Sequence, residues 1–202
     1  MRRLITTTFV TLDGVMQAPG GPEEDPSSGF AYGGWQAPFS DDEIGAFINE
    51  ILGGPYDLLL GRKTYDIFAS YWPFHEDTPI GAGFKKATKH VASRSTMDLE
   101  WEGSQLLTGN VNEHVRRLKD EDGPDLHVWG SADLIQTLLN GDVIDEMRVL
   151  TYPIVVGPGK RLFAGENAAR TFRVTSSSVS PSGVVLAAYQ PVGEVRTGTV
   201  GE

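Results

Sequence analysis

Up to about residue 140 this chain alternates short apolar, β-branched runs with segments of helical spacing; beyond that point only strand-like runs remain. Such alternation calls for parallel strands joined by helical crossovers, because a parallel neighbour needs a connection long enough to return across the sheet. The trailing strands, with no helices between them, add an antiparallel edge. The expectation is a three-layer α/β/α fold built on a mainly parallel, doubly wound sheet with antiparallel C-terminal strands. One domain should span residues 1–192, with a frayed tail at 193–202. A chain of 202 residues is long enough to bury the core this needs.

Residues 3–12, 56–60, 89–93, 104–108, 125–129 and 146–156 read as strands, and 171–178 with 183–190 as a hairpin around Pro181-Ser182-Gly183. Ser40-Asp41-Asp42-Glu43 has the form of a capping box, with Ser40 at the N-cap and Glu43 reaching back. Ile44, Phe47, Ile48 and Ile51 follow at helical spacing. Further helices are expected over 63–71, after Asn110, and over 132–139. Gly157-Pro158-Gly159-Lys160 lies between two β-rich runs and reads as a hairpin turn. Residues 16–39 hold five glycines and four prolines, which no regular element tolerates. Phe30, Tyr32, Trp35 and Phe39 give that segment apolar surface, suiting either a mobile lid or an ordered loop packed on the core.

The formal net charge of -10 argues against a nucleic-acid partner or an anionic membrane surface. The absence of cysteine excludes disulfides, thiolate metal sites and cysteine nucleophiles, and fits a cytoplasmic protein. No apolar run approaches membrane-spanning length. His75, His90, His114 and His127 show no metal-ligand spacing, so no metal is expected.

In open α/β sheets ligands sit beyond the carboxyl ends of the strands. Four segments should fall there: Thr11-Leu12-Asp13-Gly14, Gly61-Arg62-Lys63-Thr64, Ser93-Arg94-Ser95-Thr96 and Gly130-Ser131-Ala132-Asp133. Glycine at a strand–helix junction lets a phosphate reach main-chain N–H groups at the positive end of a helix. Arginine just past a strand can supply a guanidinium for a further phosphate. Together these are the parts a dinucleotide site requires, although both G-x-G-x-x-G and the P-loop sequence are absent.

The residues also carry a resemblance. Phe9-Val10-Thr11-Leu12-Asp13-Gly14, Leu59-Leu60-Gly61-Arg62-Lys63-Thr64-Tyr65, Val91-Ala92-Ser93-Arg94 and Leu126-His127-Val128-Trp129-Gly130-Ser131-Ala132-Asp133-Leu134 stand in a telling order. Ile144-Asp145-Glu146 and the run from Pro153 to Phe163 continue it to cover roughly residues 3–190. The chain resembles the dihydrofolate reductase-like superfamily. It is most similar there to the reductase domain of bifunctional riboflavin-biosynthesis deaminase/reductase proteins and their stand-alone bacterial relatives. The resemblance implies an NADPH-dependent reductase of a pyrimidine- or pterin-like or imine substrate, with 5-amino-6-(5-phosphoribosylamino)uracil the most specific candidate. It also implies a homodimer.

By the same analogy Leu60, Gly61, Arg62, Lys63 and Thr64 hold cofactor phosphates. Ser93 and Arg94 lie near the adenosine and its 2′-phosphate, and Gly130, Ser131, Ala132, Asp133 and Leu134 wrap the pyrophosphate. Thr11, Asp13, Gly14, Trp35 and Phe47 would border the substrate. Asp13 and Glu43 are the candidate acids, Glu43 and Phe47 matching loosely the pterin-binding acid of folate enzymes and its aromatic neighbour. Each has a structural alternative: a turn aspartate in Asp-Gly, a capping-box glutamate, a surface cation at Arg62, packing tryptophans. Residues 16–39 contain no Lys or Arg, whereas a substrate phosphate beside them would need one. A dihydrofolate reductase and a non-catalytic nucleotide-binding module remain the competing readings.

Overall fold

Leu4–Thr11 forms β1, and the sheet grows from it in both directions. On one side it pairs in parallel with β5 (Asp125–Trp129), Leu4 facing Leu126; on the other it pairs with β6 (Glu146–Tyr152), Thr11 facing Tyr152. Beyond β5 come β2 (Tyr56–Gly61), β3 (Lys89–Ala92) and β4 (Ser104–Leu107), all parallel. Beyond β6 the last two strands run as an antiparallel ladder, β8 (Val185–Gly193) inside and β7 (Thr171–Val179) at the edge. The strand order is therefore β4-β3-β2-β5-β1-β6-β8-β7. This is a computed structural model, and it describes residues 1–165 and 169–201.

Successive side chains of a strand point to opposite faces, and the leucines of β2 use both. Leu58 and Leu60 pack with Ile51, Tyr65 and Phe84, which come from α1 (Asp42–Ile51), α2 (Arg62–Tyr71) and α3 (Pro79–Lys86). Leu59 packs on the other face against Val115, Ile135 and Leu138, from α4 (Val111–Asp120) and α5 (Ala132–Asn140). All three leucines are completely buried, and truncating one to alanine would cost about 2–5 kcal/mol. The result is the expected α/β/α sandwich. No helix among the described residues is long and apolar enough to cross a membrane.

Several local expectations are corrected. The N-cap of α1 is Asp41, whose carboxylate accepts from the Ile44 N–H at 2.9 Å, so the cap sits one residue later than a Ser40 capping box requires. Helix α3 had no counterpart in the sequence reading; its cap is Thr78, which accepts from the Gly81 N–H at 3.1 Å. Strand β6 ends at Tyr152, and Gly157-Pro158-Gly159 is no hairpin turn, because β6 pairs with β8 and not with the strand that follows it. The turn docks instead against the start of the 16–39 strap, where Val15 and Arg161 form an isolated bridge. Gly159, at φ +132°, lies so close that a Cβ there would be 2.6 Å from Val15 Cγ1.

The strap itself is packed. Phe30 and Trp35 are buried with Ile44, Leu150 and Tyr152. The Trp35 indole donates to the Gln17 carbonyl at 2.8 Å, and its ring meets Tyr152 edge-on at 5.2 Å. The Gln17 amide donates to the carbonyls of Asp25 and Ser27, holding the middle of the strap to its start. Of the two readings of residues 16–39, the packing matches the ordered loop.

Candidate functional site

A cleft of about 640 Å³ opens at the carboxyl ends of β1 to β5. That volume lies within the range of small-molecule sites. Three of the four expected segments share it: Gly61 to Thr64, Ser93 to Ser95, and Gly130 to Leu134. The fourth does not, although Phe9 on the same strand contributes its ring.

Two helices point their first turns into this cleft, and both lack a side-chain cap. Gly61 has no side chain to offer α2, and the Ser131 side chain makes no capping bond to α5. By contrast α1, α3 and α4 are capped by Asp41, Thr78 and Asn110. The first-turn N–H groups of a helix have no partner within it. Those of Arg62, Lys63 and Thr64, and those of Ala132, Asp133 and Leu134, therefore remain as donors at two positive dipole ends.

The two turns are also tied to each other. The Ser131 N–H donates to Thr64 Oγ1 at 3.0 Å, the Gly61 N–H donates to Ser131 Oγ at 3.0 Å, and that hydroxyl donates to the Trp129 carbonyl at 3.1 Å. Gly130 and Ser131 both adopt the left-handed conformation, at φ +55° and +59°. A Cβ on Gly130 would lie 3.3 Å from the Thr64 side chain, a tight contact, at a positive φ, that glycine avoids. The Gly61 N–H, Thr64 hydroxyl and Ser131 N–H, expected to meet phosphate, are thus engaged in shaping the cradle.

Arg94 is exposed at the rim and has no hydrogen bond or ion pair among the described residues, while Arg62 pairs with Asp66 at 3.1 Å. Ser93 accepts from the Ser95 N–H and donates to the Ser95 carbonyl, a tight turn that presents Arg94. Asp133 is exposed in the first turn of α5. Leu60 is completely buried on the α1–α3 face and is absent from the cleft wall, because its neighbour Gly61 ends the strand.

The residues expected around the substrate are placed differently. Asp13 does not line the cleft. Its carboxylate accepts from the Thr11 hydroxyl at 2.6 Å and from the N–H groups of Gly157 and Val156 at 2.9 and 3.3 Å, and it pairs with Arg161. The Thr11 hydroxyl, ahead of these main-chain bonds, brings its pKa down to about 2, so the group is a fixed anion that anchors the 157–161 turn. Gly14, at φ +81°, closes the same anchor by accepting from the Leu162 N–H. Glu43 is solvent-exposed on α1, and Phe47 and Trp35 are packed inside the fold rather than on the cleft wall.

In their place the cleft is lined by Phe9, Met16, Ala18 and Trp129, and by Glu24, Asp25 and Lys160. Burial raises the pKa of Glu24, whose carboxylate accepts from the Gly20 N–H at 2.6 Å. Asp25, buried to 7% exposure, receives Lys63 Nζ at 2.6 Å and Lys160 Nζ at 2.7 Å. Burial alone would raise its pKa, but the bonds from Lys160, Lys63 and Ser27 outweigh that and hold it well below the carboxylate range. This cluster escaped sequence reasoning because its members lie at positions 25, 63 and 160, and only the packed strap brings them together.

The family model of the RibD C-terminal domain matches residues 2–186 of the chain. The chain is 30% identical over 196 residues to the uncharacterized protein YyaP of Bacillus subtilis (strain 168), covering 93% of this chain and 94% of that one. In structure it is similar to a Shewanella sp. PV-4 protein attributed to riboflavin biosynthesis, with TM-score 0.67 and 21% identity over 94% of this chain and 98% of that one. It is also similar to dihydrofolate reductase from Enterococcus faecalis complexed with NADP(H), with TM-score 0.61 and 15% identity over 94% and 96% of the two chains. At these identities the two structural likenesses speak for the fold.

Proposed function

The chain belongs to the RibD C-terminal domain family, and from that premise we propose that it is an NADPH-dependent reductase acting on a pyrimidine- or pterin-like or imine substrate. The observation that carries this reading is the pair of uncapped helix N-termini, α2 and α5, opening side by side on one cleft. Bound there, NADPH supplies hydride. The residues present suit it. The first-turn N–H groups of both helices match a pyrophosphate, and the cradle is fixed in advance by the bonds among Gly61, Thr64 and Ser131. Arg94, the guanidinium in the cleft without an acidic partner among the described residues, suits a 2′-phosphate. Phe9, Met16, Ala18 and Trp129 form an apolar wall that excludes water from the reacting end. Glu24 is the acid we assign to proton delivery, since it lines that wall and burial raises its pKa.

The most specific form of the proposal is a 5-amino-6-(5-phosphoribosylamino)uracil reductase-type activity. A dihydrofolate reductase is the second reading, favoured by the fold likeness but with Glu43 facing solvent instead of the cleft. We further read the chain as a cytoplasmic homodimer, because β7 leaves both an unpaired edge and two uncovered faces for a second copy. Sedimentation velocity should then return twice the chain mass.

Trp129 lies in the cleft wall, so titration with NADPH should quench tryptophan fluorescence in a saturable way. The absence of saturable quenching would sink the cofactor assignment. Saturable binding with no NADPH oxidation across a panel of pyrimidines and pterins would instead favour the non-catalytic module.

A further inference from the structure

We infer that the Lys63–Asp25–Lys160 cluster is a subsite for an oxyanionic group, phosphate or carboxylate, carried by the reducible substrate. The inference rests on the reductase reading and deepens it. All three residues line the same cleft, together with Phe9 and Met16. Two ammonium groups share one carboxylate, which leaves one positive charge unpaired among the described residues, in a chain whose net charge is -10. The two cations also act on each other: burial, with the Lys63 charge, pulls the Lys160 pKa down, whereas the Asp25 bond pushes that of Lys63 up. A second anion beside them would relieve that imbalance.

Donor accounting points the same way. An ammonium has three N–H donors. Lys63 spends two of them, on Asp25 and on the Ser27 hydroxyl at 2.8 Å, whereas Lys160 spends one on Asp25. Among the described residues one donor remains on Lys63 and two on Lys160, and the two side chains are 51% and 39% exposed. Asp25 is itself fixed by Ser27, whose N–H and hydroxyl both donate to it. The buried carboxylate therefore holds two flexible lysines in one place, which lowers the ordering cost of meeting a third partner. Glu24, another acid that lines the cleft, accepts from the Gly20 N–H and pairs with neither lysine among the described residues. Lys63 and Lys160 also provide the basic residues that the 16–39 strap lacks in its own sequence.

The test is calorimetric titration of the NADPH-saturated protein with ribose 5-phosphate, with ribose as the uncharged control and glutarate as the carboxylate probe. Saturating NADPH keeps the probes from the cofactor's own phosphate positions. Ribose 5-phosphate should bind and ribose should not; Lys160→Met and Lys160→Gln should each weaken binding about tenfold or more, and Lys160→Arg should restore it. Unchanged NADPH quenching in each variant reports an intact fold. Glutarate binding with the same Lys160 dependence supports the subsite and identifies a carboxylate as its ligand. Failure of both probes to bind, or binding indifferent to Lys160, overturns it. Should NADPH itself not bind, the reductase reading fails, and the same titrations on the free protein decide the subsite separately.

Discussion

The main-chain N–H of Ser131 donates to the hydroxyl of Thr64 at 3.0 Å, joining the turn before α5 to the first turn of α2 across 67 residues of chain. Because Ser131 Oγ also receives the Gly61 N–H, the relative placement of the two helix N-termini is set before any ligand arrives. Thr64→Val keeps the shape and removes the acceptor, leaving the Ser131 N–H unpaired at a cost of about 1–3 kcal/mol. NADPH affinity should fall roughly two- to 150-fold, the range that follows if half to all of that energy is lost from the cradle. Fluorescence titration checks this; an unchanged dissociation constant would show that the cradle does not depend on the bond.

Arg94→Ala removes the guanidinium that no acid among the described residues neutralises. The loss should fall on the 2′-phosphate, weakening NADPH by about 10–100-fold while leaving NADH within about twofold. Equal losses for the two cofactors would refute the assignment.

Asp13→Asn separates anchoring from catalysis. The variant gives up part of the set of bonds to Thr11, Gly157 and Arg161, so unfolding stability should drop by about 1–3 kcal/mol. NADPH affinity should stay within about twofold, since the carboxylate lies outside the cleft. Loss of turnover without loss of stability would return Asp13 to the role of an acid.

His127 is buried and stacks on Tyr56 at 5.1 Å. Burial, with Arg148 nearby, holds its pKa down to about 4 from the usual 6.5. Between those values the unfolded chain takes up a proton that the folded chain refuses, so stability falls as pH drops from 6.5 towards 4 and levels off below. Linkage puts the loss between about pH 7 and pH 5 at about 2 kcal/mol. His90, lowered chiefly by its burial, acts in the same direction. His127→Phe keeps the stacked ring and removes the proton site. Urea midpoints should fall less between those two pH values in the variant than in the parent; parallel falls would contradict the burial argument.

The alternation of strands and helices was legible because it depends on local pattern: β5 spans Asp125–Trp129 as read from the sequence, and Asn110 caps α4 as its sequence suggests. The strand-end turns were legible for a related reason, since a doubly wound sheet sends all its parallel carboxyl ends to one side. What stayed hidden depends on the long strap. No local signal announces that Asp25 meets Lys160 across 135 residues, or that Asp13 is drawn to Gly157 rather than to a ligand. Helix α3 was missed because its two glycines and N-terminal proline weaken the helical signal, and packing of Phe84 decides the matter instead.

Strand β1 lies at the heart of the sheet, yet Leu4 faces Leu126 and Ile5 faces Glu146. As the chain leaves the ribosome, β1 must wait without either neighbour until more than a hundred further residues have been made. Nascent or truncated forms ending before β5 should accordingly expose a threonine-rich apolar ribbon that chaperones can seize, and acquire native protease resistance late and all at once.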